Sequence, residues 1–322
     1  MKHVLVLCCF LATGGFTICV AQSPPYPTRP IRLVVPYPPG GGTDIIARIV
    51  GQKLAENLGQ QIIVDNRGGA GGTIGTDVVA KSAPDGYTIL MAPTSHAINP
   101  SIYRRLPYDT LKDFTPVTLA ASATIVLAVH PSVPVKSVNE LIALAKSKPG
   151  QLNFGSAGNG TVFHLAGELF KRQAGIDMVH VPFKGGGPTI ANLVGGQVSL
   201  AFETMLALSP YIKAERVRPL AVTSAQRSSV MPELPTAAEL GFRDIVAENW
   251  YGIFARTGTP KNIVASLNTE IVKILRTPEI KERFQSQGTE VVGGTPEELA
   301  DYLQKEMRKW SKTAKEAGAQ VD

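Results

Sequence analysis

The stretches VVPYPPGGGTDIIARIV (Val34–Val50) and NFGSAGNGTVFHLAGEL (Asn153–Leu169) decide the fold. Each passes from a short apolar run through a glycine-rich break into residues with helical spacing. From Asp44 the apolar positions Ile45, Ile46, Ile49, Val50, Leu54 and Leu58 follow the 3.6-residue period, and Gly59 ends the run. Strand, glycine turn and helix in that order are the opening of a βαβ unit. Outward from the first unit, Ile62–Val64 reads as a strand, Thr73–Lys81 as a short helix, Pro84-Asp85-Gly86 as a turn and Tyr87–Met91 as a strand. The alternation continues and predicts an α/β protein with mainly parallel sheets. Two glycine-rich units predict two α/β lobes that face each other across a cleft. The ligand position in such sheets is at the carboxyl ends of the strands.

Helix-start chemistry supports these assignments. Ser137 with Glu140 and Thr295 with Glu298 have capping-box spacing, and Pro296 suits a first helical position. The last helix, Pro296 to about Ala317, puts Leu299, Leu303, Met307, Trp310 and Ala314 on one face and its charges on the other.

The 322 residues are 44% hydrophobic and 18% charged, a globular composition long enough for about two domains. The net charge of +6 comes from 32 basic and 26 acidic residues spread along the chain. Without a basic stripe it is no nucleic-acid footprint. The three cysteines, Cys8, Cys9 and Cys19, all fall in the first 20 residues. There Lys2 precedes the largely apolar Val4–Val20, which closes on Cys19-Val20-Ala21. This reads as a secretory signal peptide (residues 1–21) cleaved after Ala21, giving a periplasmic chain that starts at Gln22 and has no thiol.

Unpaired N–H groups at a helix start, with the positive end of the helix dipole, make an anion site, and glycine lets the ligand approach the backbone. Gly40, Gly41, Gly42 and Thr43 suit this role, as do Ser156, Ala157, Gly158, Asn159, Gly160 and Thr161. Arg67–Gly72 and Lys184–Pro188 are two further turns of the same type. Such turns also serve simply to link strand to helix, but four in one chain favour anion binding. Asp44 is a cap or a favourable charge on the dipole, or else meets a ligand donor.

Enzymatic motifs are missing. No turn ends in Gly-Lys-Ser/Thr, Gly155-Ser156-Ala157-Gly158 is one residue short of a nucleophile elbow, and the dinucleotide fingerprint spacing is absent. His164 and Glu168 share a helix face, but the spacing offers no third metal ligand. Neither a metal, a cofactor nor a catalytic residue is therefore expected. An exported hydrolase using Ser156 and His164 is the enzymatic alternative.

The chain resembles the Bug family, periplasmic solute receptors of tripartite tricarboxylate transporters. The matching segments include PYPPGGGTD (Pro36–Asp44), VDNRGGAGGTIG (Val64–Gly75), PDGYT (Pro84–Thr88), HAINPSIY (His96–Tyr103), GSAGNGTVFHL (Gly155–Leu165), VPFKGGGP (Val181–Pro188) and WYGIF (Trp250–Phe254). The resemblance implies a two-lobed type II periplasmic-binding-protein fold, with lobe one at 22–125 and 248–322 and lobe two at 126–247. It implies capture of a small carboxylate: a dicarboxylate or tricarboxylate, an acidic amino acid or an aromatic acid. The partners implied are permease subunits in the membrane, with a membrane signalling protein as the alternative, and the receptor is expected to be a monomer. One ligand carboxylate would be held by main-chain groups of Gly40, Gly41, Gly42, Thr43 and Asp44 and by Ser156, Ala157, Gly158, Gly160, Thr161 and His164. Tyr37, inside the first segment, and Ser95, beside the fourth, join the candidate ligand-binding set. So does Glu203, which stands where relatives commonly carry aspartate. A carboxylate there would repel a second ligand carboxylate and favour an amine or hydroxyl.

Overall fold

The computed structural model describes residues 26–320, so the expected signal peptide, its cleavage site and all three cysteines lie outside the described residues. The strands are β1 (Ile31–Val35), β2 (Ile62–Asn66), β3 (Thr88–Pro93), β4 (Phe114–Val129), β5 (Asn153–Ser156), β6 (Val179–Pro182), β7 (Leu200–Thr204), β8 (Arg218–Val222), β9 (Glu248–Arg256) and β10 (Thr289–Gly293). The helices are α1 (Gly42–Leu58), α2 (Thr73–Ala80), α3 (Ser95–Ile102), α4 (Val138–Ser147), α5 (Val162–Ala174), α6 (Gly186–Val194), α7 (Met205–Lys213), α8 (Lys261–Leu275), α9 (Pro278–Gln285) and α10 (Pro296–Glu316).

The strands join in the order β2-β1-β3-β9-β4-β7-β5-β6, with β8 and β10 also on β4. β4 belongs to both halves of the sheet. Its first part, to Thr124, pairs with β9 and β10, and from Ile125 it pairs with β7 and β8. The expectation of mainly parallel sheets is corrected. Pairs β1/β2, β1/β3, β5/β6 and β5/β7 are parallel, but β3/β9 and every pairing of β4 are antiparallel. A strand buried on both faces is a continuous apolar run whichever way it points, so its direction leaves no mark in the sequence.

β1 buries apolar side chains on both faces, Arg32 apart. Leu33 and Val35 pack with Ile46, Val50 and Ile271 on one face, while Val34 packs with Leu90, Ile98 and Phe254 on the other. α10 buries Leu299, Leu303, Trp310 and Ala314 as its spacing predicts, and it also buries Glu306. The indole N–H groups of Trp250 and Trp310 both donate to Glu306 Oε2, at 3.1 and 2.7 Å. This carboxylate ties the last helix to β9. Thr295 and Glu298 form both halves of the capping box on α10. Ser137 accepts from the Glu140 N–H, but the Glu140 carboxylate takes the Lys136 N–H instead of that of Ser137, so only half a box forms.

Candidate functional site

The first glycine turn leads from β1 into α1. Gly40 has φ +91°, which favours glycine, and Gly41 is extended with φ −88°. The Asp44 carboxylate is buried and turned back on its own turn. It accepts from the Gly40 N–H (3.1 Å) and Asn66 Nδ2 (3.0 Å) and pairs with Arg48 (2.9 Å). Asp44 and the Gly40 N–H are thus bonded to each other. The first intrahelical bond runs from Ile45 N–H to Gly41 O, so the N–H groups of Gly42, Thr43 and Asp44 have no partner within the helix. Tyr37 braces this side: its hydroxyl donates to Gly71 O (2.8 Å) and hydrogen-bonds Ser95 Oγ (2.9 Å).

The second glycine turn opens α5. Thr161 is its N-cap; the hydroxyl donates to Gly158 O (2.8 Å) and accepts from the His164 N–H (3.4 Å). Ser156 Oγ meets His180 Nε2 at 2.7 Å and the Gly158 N–H at 3.2 Å. Both hydroxyls lock the turn. The main-chain N–H groups of Val162 and Phe163, in the first turn of α5, have no partner within the helix. The fourth turn, before α6, closes against the first. A Cβ on Gly41 would lie 3.2 Å from Gly186 Cα, and one on Gly187 would lie 2.1 Å from Pro39 O.

These three helix starts converge on one cleft. Its lining contains Tyr37, Gly41, Gly42, Thr43, Asp44, Ser95, Ala157, Thr161 and Glu203 from the sequence-derived set. Gly40, Ser156, Gly158, Gly160 and His164 do not line it. They sit one step behind, where they shape the two turns. Pro93, Val162, Phe163, Gly186 and Asn249 also line the cleft. Gly186 belongs to the fourth glycine turn, and Val162 and Phe163 open the helix after the second; Pro93 and Asn249 carry no local signal. The enclosed space is about 20 Å³, room for about one water molecule. A carboxylic acid enters only if the turns part.

At the cleft floor, Glu203 is the penultimate residue of β7. Its Oε1 accepts from the Thr204 N–H (2.8 Å), and its Oε2 is buried with no hydrogen-bond partner among the described residues. Burial pushes the carboxyl up to about 7. The Tyr251 hydroxyl is likewise buried without a partner among the described residues. Burial, helped by the nearby Glu203 charge, raises its pKa. A Cβ on Gly42 would lie 2.2 Å from this hydroxyl, which is why the first turn of α1 needs glycine at that point.

Behind the second turn, His164 and His180 stack at 4.2 Å between ring centroids. His164 Nδ1 accepts from the Gly160 N–H (3.2 Å). Burial holds His164 down to about 4 and His180 down to about 3, so both rings are neutral at neutral pH. One ligating atom from each of His164, Glu168 and His180 lies within 4.8 Å of the others. The parallel pairing of β5 with β6 brings His180 beside His164 and Glu168, a neighbour that spacing along the chain does not show. The hydrolase pair Ser156–His164 is not formed, since the Ser156 hydroxyl turns to His180.

Two half-sheets sharing β4, with glycine-led helix starts facing across a cleft, define a two-lobed solute-binding protein of the periplasmic type. The family profile "Tripartite tricarboxylate transporter family receptor" matches residues 46–319, and the chain belongs to that family. It is 38% identical over 322 residues to Protein BugT of Bordetella pertussis, covering 99% of this chain and 98% of BugT. R. palustris Rpa4515, solved with adipate, superposes with TM-score 0.89 at 38% identity, covering 92% of this chain and 100% of Rpa4515. MatC (Rpa3494) from Rhodopseudomonas palustris, solved with bound malate, gives TM-score 0.85 at 33% identity, covering 89% of this chain and 99% of MatC. Among the described residues no helix is long and apolar enough to cross a membrane.

Proposed function

We propose that the protein is an exported receptor that captures a small carboxylate in the cleft and delivers it to the permease subunits of a tripartite tricarboxylate transporter. The observation that carries this reading is the convergence of the α1 and α5 starts on one small space lined by Gly42, Thr43, Val162 and Phe163, whose N–H groups have no partner within their helices. Charge-assisted hydrogen bonds to a carboxylate contribute about 1.5–3 kcal/mol each. Donors on two lobes are satisfied together only when the lobes close, so the ligand favours the closed state. Adipate in Rpa4515 and malate in MatC support a dicarboxylic acid as the ligand class.

Lobe one comprises 22–125 and 248–322 and lobe two 126–247, with the hinge in the Thr124–Val126 stretch where β4 changes partners. Glu203 reads the far end of the ligand. Ionised, it repels a second carboxylate and accepts from a hydroxyl or amine; protonated, it tolerates one. The receptor works as a monomer without cofactor or catalysis, and its signal peptide is removed after Ala21.

A thermal-shift panel of mono-, di- and tricarboxylates, with amines and neutral sugars as controls, tests the reading. Acids alone should stabilise the protein, by about 2.7 kcal/mol at a hundredfold excess over Kd. A sugar or an amine as the strongest stabiliser contradicts it.

A further inference from the structure

We propose that His164, Glu168 and His180 form a binding site for a divalent transition metal of the zinc class, behind the second glycine turn. His164 and Glu168 lie one turn apart on the same face of α5. His180 comes from β6, the edge strand beside it. The three ligating atoms lie within 4.8 Å of one another. Zinc bonds of about 2.1 Å in tetrahedral geometry place ligand atoms about 3.4 Å apart, so the His164 and His180 rings, stacked at 22°, must turn out of their stack for both lone pairs to meet one ion. All three residues are half-buried, so an ion can reach them from solvent. Two imidazoles and one carboxylate suit zinc, nickel or copper; calcium and magnesium prefer oxygen ligands. Ser156 Oγ holds the His180 ring at 2.7 Å, the kind of outer partner that ligating histidines keep. Three protein ligands leave a fourth position for water.

Two features of the site set how it behaves. Lys171 Nζ is paired with Glu168 at 3.1 Å, so an incoming metal competes with an ammonium group for the carboxylate. His164 Nδ1 already accepts from the Gly160 N–H. Ligation through Nδ1 takes the same lone pair. Ligation through Nε2 moves the ring proton to Nδ1, which then cannot accept. Either way metal binding releases Gly160 from His164 and loosens the turn that carries the start of α5.

The test is calorimetric titration of the purified chain with Zn²⁺, together with the visible absorption of bound Co²⁺. One ion per chain is expected. His180→Asn and Glu168→Gln should each weaken binding at least tenfold, and Lys171→Met should tighten it several-fold, a gain that misfolding cannot mimic. Amide hydrogen exchange at Gly160 should accelerate when Zn²⁺ is added. Absence of stoichiometric binding overturns the proposal. So does binding that His180→Asn and Lys171→Met both leave unchanged.

Discussion

Gly41 and Gly186 meet backbone to backbone across the cleft: a Cβ on Gly41 would lie 3.2 Å from Gly186 Cα. Gly41 itself has φ −88°, so a larger residue fits its backbone, and what excludes one is the opposing turn. The left-handed requirement belongs to Gly40. Gly41→Val should therefore leave the ligand-free fold intact and hold the turns apart. Calorimetry should show at least a tenfold loss of carboxylate affinity, about 1.4 kcal/mol.

Thr161 acts as a cap, and its hydroxyl hydrogen is committed to Gly158 O. Thr161→Val removes the cap without removing a ligand donor. Urea unfolding should show a loss of about 1 kcal/mol, in the 0.5–2 kcal/mol range of N-cap deletions. Carboxylate binding should weaken modestly through the loosened start of α5.

The raised pKa of Glu203 makes the ligand-free protein sensitive to pH. Between the usual glutamate value near 4.5 and about 7, the folded state binds the extra proton. This contribution to stability is full below about 4.5 and is lost as pH rises through 7, up to about 3 kcal/mol in all. Glu203→Gln should flatten that decline in a pH series of urea midpoints. The same variant should shift the affinity ratio toward dicarboxylates over an amino-acid analogue at pH 8.

Glu306 joins two tryptophans that are 60 residues apart in the chain. Glu306→Ala leaves two buried indole N–H groups without an acceptor and should cost about 3 kcal/mol. Glu306→Gln keeps an acceptor oxygen and should cost less. Urea unfolding followed by tryptophan fluorescence distinguishes the two.

Much of the fold was legible because periodicity and glycine punctuation act locally. The helix from Asp44 to Leu58 begins only two residues earlier in the structure, and the core face of α10 contains Leu299, Leu303, Trp310 and Ala314 as its spacing predicted. The antiparallel direction of β4 and β9 was hidden, since a doubly buried strand looks the same both ways. Glu306 was assigned to the charged face because the spacing cannot show a partner such as Trp250, brought in by another element. At the site, the turns of α1 and α5 announced themselves through glycine. Which donor faces the ligand did not: Ser156 and Thr161 spend their hydroxyls on His180 and Gly158, contacts set by the pairing of β5 with β6 and the winding of the turn. Pro93 and Asn249 line the cleft from β3 and β9, brought together by a strand pairing that no local spacing shows.

The central claim, a carboxylate held between the starts of α1 and α5, is tested most directly by following backbone amide resonances during titration with adipate. The N–H signals of Gly42, Thr43, Val162 and Phe163 should shift together at one saturation point and become protected from exchange. Shifts confined to one of the two helix starts, or saturation that leaves all four unchanged, would contradict the claim.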